Sequence, residues 1–229
     1  ALNNNPKISS ATRTLVMSTA AKMNYKQNKL ALALKSGKSN NVGVIVPRIN
    51  TNFFASVIRG IEEELQPNGY QVIICQTHED EERQIENINT LLNAQVDGIL
   101  MSISNVSKKN DSFIERIVQK NVPLIFFDRK KNMEGVSSVT INDFKGAYLA
   151  TQHLIDQGNK RIAFLSGDRS LEIYEDRYNG YVAALADNSI ELIEDYIITI
   201  KSNVVVGREV VEQLLKLDHP PTAIFSTSD

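Results

Sequence analysis

Polar, charged and aromatic residues recur directly after short apolar runs in this chain. Past Val42–Val46 come Arg48, Asn50, Asn52, Phe53 and Phe54; later runs are followed by Thr77 and Asp80, Ser102 and Ser104, Asp128 and Arg129, Asn142 and Asp143, Ser166 and Asp168, and finally Ser226 and Asp229. Arg177 opens a later helical stretch. Rings that stack, and carboxylates or guanidinium groups that make two hydrogen bonds, suit a small polyhydroxylated or planar ligand. Any one of these residues alone is ordinary turn or cap chemistry. Their convergence is what points to binding. Reaction chemistry is poorly provided for: His78, His153 and His219 are scattered, Cys75 is the only cysteine, and no HExxH or paired-cysteine spacing offers a metal site. A GxSxG elbow, a GxxxxGK[ST] phosphate loop and a GxGxxG turn after a strand are all missing. Asp128 and Asp143 could be assembled into an acid and a base, but nothing in their spacing requires it. Neither an enzyme activity nor a cofactor is expected.

The elements that must position these residues are legible from periodicity. Strands are expected at 42–46, 71–75, 98–101, 123–127 and 138–141, with helices at 54–66, 82–93 and 111–120 between them. Alternating β and α segments argue for an α/β fold with a parallel sheet covered by helices on both faces. The pattern then restarts, with helices at 146–157, 174–186 and 204–216 and strands at 161–165, 196–200 and 222–225. Two lobes follow, with ligands expected at the carboxyl ends of the strands. A weak internal echo, IRGIEEEL around Gly60 and YNGYVAAL around Gly180, puts a glycine inside a helix in each lobe. Mid-helix glycine costs about 1 kcal/mol against alanine, so close helix-to-sheet packing is expected at both.

The first 38 residues are of a different kind. They carry Lys7, Arg13, Lys22, Lys26, Lys29, Lys35 and Lys38 and no acid, a charge of +7, whereas residues 39–229 sum to −9. Such a division suggests a basic nucleic-acid-binding arm on an acidic body, although a solvated lysine-rich end has the same composition. Ser9 can cap a helix from Ser10 to about Met23, with Leu15, Val16, Ala20 and Met23 on one apolar side. Its first turn, with Thr12 and Arg13, has outward N–H groups that would receive a phosphate. Asn28–Lys38, NKLALALKSGK, is rich in helix formers but only about two turns long before Ser36 and Gly37, so it should need a partner to order. Leu34 between basic neighbours has the chemistry of a minor-groove wedge.

At 229 residues the chain is long enough for a sizeable core, with a soluble globular composition. A single cysteine allows no internal disulfide, and a reducing, cytoplasmic setting is expected. No run approaches a membrane span of roughly 20 apolar residues, and no membrane partner is expected. The absence of an initiating Met and the ending in AIFSTSD read as those of a fragment.

Joined in order, ALNNNPKISSATRTLV, NYKQNKLALALKSGKSNNVGVIVP, NFFASVIRGIEEEL, DGIL, PLIFFDR, GYVAAL and PPTAIFSTSD resemble the LacI/GalR-type bacterial transcription regulators over essentially the whole chain. The resemblance implies a partial all-α helix-turn-helix headpiece over residues 1–27, a hinge helix over 28–38 and a two-lobed periplasmic-binding-protein-like core over 39–229. The first lobe would span about 41–142 and the second, truncated, about 143–229. It implies a homodimer in which a sugar-like effector between the lobes alters the hold of paired hinge helices on operator DNA. Carried onto this sequence, DNA contacts fall on Ser9, Thr12, Arg13, Tyr25, Asn28, Lys29, Ala31 and Leu34, and effector contacts on Phe53, Phe54, Thr77, Ser102, Asp128, Arg177 and Asp229. The alternative is a sugar-binding protein of a transport system, which would share the core but not the basic arm and hinge.

Overall fold

The structure is a computed structural model, and it describes residues 1, 5–25, 37–104, 112–200 and 204–228. The expected hinge helix falls almost wholly outside the described residues.

Helix α1 spans Ser10–Lys22. The chain then alternates: β1 Asn41–Val46, α2 Asn52–Leu65, β2 Gln71–Gln76, α3 Glu81–Asn93, β3 Gly98–Met101, α4 Ser112–Gln119, β4 Leu124–Phe127 and β5 Ser137–Val139. It continues with α5 Asp143–Asp156, β6 Ile162–Ser166, α6 Glu172–Asp187, β7 Ile197–Thr199, α7 Val204–Leu214 and β8 Ala223–Ser226. Strands β1 to β5 form one parallel sheet in the order β2-β1-β3-β4-β5, and β6 to β8 form a second in the order β7-β6-β8. In each sheet the chain runs out from a central strand and returns beside it, which leaves the loops at the strands' carboxyl ends on one rim.

Both faces of each sheet are covered, which is why the central strands VGVIV and IAFLS read as unbroken apolar runs. On one face of the first sheet Ile45, Ile99, Met101 and Phe126 pack with Ile88 and Leu91 of α3 and Ile114 and Ile117 of α4. On the other, Val44, Val46 and Phe127 pack with Phe54 of α2. In the second sheet Ala163 and Leu165 face Val210 and Leu214 of α7, while Ile162 and Phe164 face Tyr181 and Leu185 of α6.

The two mid-helix glycines part company. Gly60 is exposed, and a Cβ built there meets nothing within 4 Å, so the expected tight packing is absent. The apolar stripe of α2, Phe54, Val57, Ile58 and Ile61, turns Gly60 away from the sheet. Gly180 is buried, and a Cβ would lie 2.9 Å from the Tyr148 amide nitrogen and closer still to the Phe144 carbonyl oxygen. Its close approach is therefore helix to helix, α6 against α5, and not helix to sheet.

Helix α1 begins as its sequence requires, with the Ser9 hydroxyl accepting the Thr12 amide at 3.3 Å. No residue of α1 is buried. Its apolar side instead lines an open groove of about 520 Å³ with Leu15, Val16, Thr19, Ala20, Met23 and Tyr25.

Candidate functional site

Thr77, Ser102 and Asp128 sit just past strand ends, where the ladder stops and side chains converge on the rim. After β4 the backbone of Asp128 turns left-handed, at φ +61°, while its amide still donates to the Val139 carbonyl at 3.0 Å. Aspartate is one of the few non-glycine residues that adopts this conformation readily. Its carboxylate accepts the Ser102 hydroxyl, from the end of β3, at 3.2 Å. Arg129 Nε lies 3.8 Å from the same oxygen.

Arg129 is buried, and its Nη1 donates to both carboxylate oxygens of Glu79, past the end of β2, at 3.0 and 2.8 Å. Burial alone would lower the Arg129 pKa; the hydrogen bonds and charge of Glu79 reverse that and push it up. For Asp128 burial wins over its cationic neighbours. Desolvation raises its pKa above the ordinary carboxylate range, although Arg129, the Ser102 hydroxyl and Arg177 all favour the charged form.

The second lobe answers with Arg177 on α6. Its Nε donates to Asp143 Oδ1 at 2.8 Å, Nη2 lies 2.7 Å from the same oxygen, and Nη1 donates to the Thr227 carbonyl past β8. Asp143, at the first position of α5, is buried. The guanidinium lies 5.7 Å over the Tyr174 ring. A recess of about 300 Å³ opens beside it, lined among others by Ile141, Asp143, Phe225 and Thr227. The charge of Arg177 in one lobe is near enough to favour the ionised form of Asp128 in the other.

The sequence-derived residues separate on this geometry. Phe53 is 51% exposed, with its ring in edge contact with Phe54 at 5.1 Å between centroids, whereas Phe54 is a core residue, edge-on to Phe127 with ring centroids 6.4 Å apart. Phe54, expected as an effector contact, is buried against the sheet in this structure. Thr77 is likewise buried, and its hydroxyl is hydrogen-bonded to Ser104. Ser102 is also fully buried and serves Asp128. Asp229 lies outside the described residues. Glu79, Arg129 and Asp143 were not among the expected contacts. Arg129 and Asp143 stood at strand ends, and the signal that could have found them is that each is adjacent to, or the only ready partner of, a charge that the fold buries.

Among the DNA-side residues, Asn28, Lys29, Ala31 and Leu34 lie outside the described residues. Ser9 and Thr12 share a 2.9 Å hydroxyl contact, Arg13 Nη2 donates to the Asn5 carbonyl at 3.0 Å, and Tyr25 is 57% exposed. Among the described residues no group of three or more His, Cys, Asp or Glu is placed to hold a metal ion, and no helix is long and apolar enough to cross a membrane.

Two parallel α/β sheets whose strand ends converge on charged, hydrogen-bonding side chains define a bilobal binding-protein core. Residues 39–229 match the family described as periplasmic binding proteins and sugar binding domain of LacI family, and the chain belongs to that family. Catabolite control protein A of Priestia megaterium is 33% identical over 229 residues, covering all of this chain and 68% of that protein. The crystal structure of the transcription regulator CcpA of Lactococcus lactis superposes with a TM-score of 0.73 at 28% identity, over 82% of this chain and 68% of that one. A LacI family transcriptional regulator from Enterococcus faecium, solved with bound ribose, gives 0.71 at 29% identity, over 82% of this chain and 67% of its own.

Proposed function

We propose that this protein is a ligand-responsive DNA-binding transcription repressor that takes a small sugar-like effector between its two lobes. One observation carries the reading: a +7 arm without acids, containing the Ser9-capped α1, is joined to a core where Asp128 and Arg177 lie within electrostatic reach across the lobes. A carboxylate acceptor, a guanidinium donor and an exposed Phe53 ring are together the chemistry that suits a polyhydroxylated ring. Relatives named as repressors, and the ribose in the Enterococcus faecium regulator, support it. The headpiece over 1–27, the hinge over 28–38, a homodimer and a cytoplasmic setting belong to the same reading. The transport alternative shares the core but leaves the basic arm without a purpose.

Effector binding then shifts the lobes between two arrangements that differ in DNA affinity, a coupling typically of about 1–3 kcal/mol. The test is titration of operator DNA with the intact protein at several salt concentrations, with and without sugar, for wild type and Leu34→Ala. Specific binding should fall steeply with salt as counterions are released. The variant should lose it at least tenfold while keeping its affinity for sugar. DNA binding untouched by Leu34→Ala would remove the hinge from the mechanism, and sugar binding with no DNA binding at all would restore the transport reading.

A further inference from the structure

The charges around the cleft are not equally available. Arg129 is 8% exposed and tied through Nη1 to both oxygens of Glu79. Its Nε, beside Asp128, is buried without a hydrogen-bond partner. Glu79 reaches it from an unusual loop, in which His78 and Glu79 are both left-handed, at φ +57° and +63°. Successive non-glycine residues in that region are uncommon and costly, and persist only where the surroundings over-determine them. Here the Thr77 amide is held by the Val46 carbonyl and the His78 amide by the Pro47 carbonyl, which fixes the loop and aims Glu79 inward.

Arg177 is likewise matched, its Nε and Nη2 both directed at Asp143. Each of these guanidinium groups therefore already has its own carboxylate, and Asp128 is the carboxylate in surplus. A phosphate entering here would meet the charge of Asp128, while the charge of each arginine is already balanced by its own carboxylate even where, as at Arg177, the guanidinium keeps some exposure. A hydroxyl of an uncharged sugar would find Asp128 as an acceptor. Resting on the reading of the interlobe site given above, we propose that Glu79 sets the charge class of the effector: it withdraws Arg129 from the cleft, so that the site takes an uncharged polyhydroxyl ligand and discriminates against the phosphorylated form.

Glu79 is a specificity-determining residue acting through Arg129, and the experiment separates that from a purely structural role. Calorimetric titration of the intact protein would use free pentoses, hexoses and disaccharides, each against its phosphate monoester. Wild type should bind one free sugar at least tenfold more tightly than its ester. Glu79→Gln should narrow that gap severalfold by strengthening the ester, since it releases the Arg129 charge. The double variant Glu79→Gln/Arg129→Gln should restore the gap, since it frees no cation. An ester that binds wild type as tightly as the sugar, through the exposed Arg48 or otherwise, overturns the proposal and leaves the sugar site standing. A gap unchanged in Glu79→Gln overturns it as well. If neither sugars nor esters bind, the interlobe reading itself fails and takes this inference with it. Should Glu79→Gln not fold, the double variant removes both members of the Arg129–Glu79 pair together, and a gap that collapses in it is again fatal.

Discussion

Both lobes pair an arginine with a carboxylate at the strand ends, but with opposite polarity. In the first lobe Glu79 holds Arg129 behind Asp128, and the group left over is a carboxylate; in the second Asp143 backs Arg177, and the group presented is a guanidinium, its side chain 21% exposed. One lobe is arranged to accept and the other to donate. The same asymmetry runs through the packing, since the echoing glycines Gly60 and Gly180 fall on a solvent face in the first lobe and in a helix–helix contact in the second. Sequence similarity between repeats therefore does not carry over to the role of a position; what decides the role is which side of the helix's apolar stripe the residue occupies.

The sharpest way to break this comparison is at the glycines. Gly180→Ala drives a methyl group into the backbone of α5, which cannot yield as a side chain would, and should cost about 3 kcal/mol, the upper end of overpacking penalties. Gly60→Ala should instead stabilise by about 1 kcal/mol, the helix propensity difference, because nothing crowds it. Urea unfolding of both variants measures this. Equal effects would mean that the two helices are packed alike.

Next in size is the loss of a carboxylate. Asp143→Ala leaves the Arg177 guanidinium with the Thr227 carbonyl and the Tyr174 ring but no carboxylate at contact distance, and should cost about 2–3 kcal/mol, somewhat under the range for a fully buried pair because Arg177 keeps some solvent. Glu79→Ala should cost less, about 1–2 kcal/mol, because Arg129, although more buried than Arg177, can then turn to Asp128, which already lies 3.8 Å from its Nε. A larger loss at Glu79 than at Asp143 would reverse the order of the two pairs and make the first-lobe pair the main structural tie.

These contrasts also mark where sequence reading runs out. Element types and order followed from periodicity, and most boundaries fell within about three residues, because strands buried on both faces and helices with one apolar stripe are distinctive. Phe53 and Phe54 could not be told apart at a helix start by inspection, yet Phe54 heads the stripe that continues through Val57, Ile58 and Ile61, and that spacing was there to be used. Gly180 and Gly60 are resolved by the same test. Glu79 was not legible, because its contact with Arg129 joins residues 50 apart through a left-handed loop that no local preference of Glu encodes. Thr77 and Ser102 were expected as effector contacts from the family resemblance; in the structure both hydroxyls are hydrogen-bonded internally.

The smallest effect is also the one that bears most directly on the polarity of the cleft. Burial raises the Asp128 pKa, against the pull of Arg129, Ser102 and Arg177 and with a further push from Asp143. Below the carboxylate range both the folded and unfolded chains hold the proton. As pH rises through that range the unfolded Asp128 gives up its proton first, so folding loses free energy until the folded-state pKa is passed, and the loss persists at neutral pH. Asp128→Asn removes this penalty, keeps a side chain that tolerates the left-handed backbone, and can still accept from Ser102. The ligand-free variant should therefore melt slightly higher than wild type at neutral pH, with the difference vanishing in acid, and should lose sugar binding. Calorimetric melting across a pH series reads the first effect and titration with sugar the second. A variant that melts lower at neutral pH and binds sugar normally would mean that Asp128 serves as a second partner for Arg129, and that the first lobe, like the second, turns its aspartate inward.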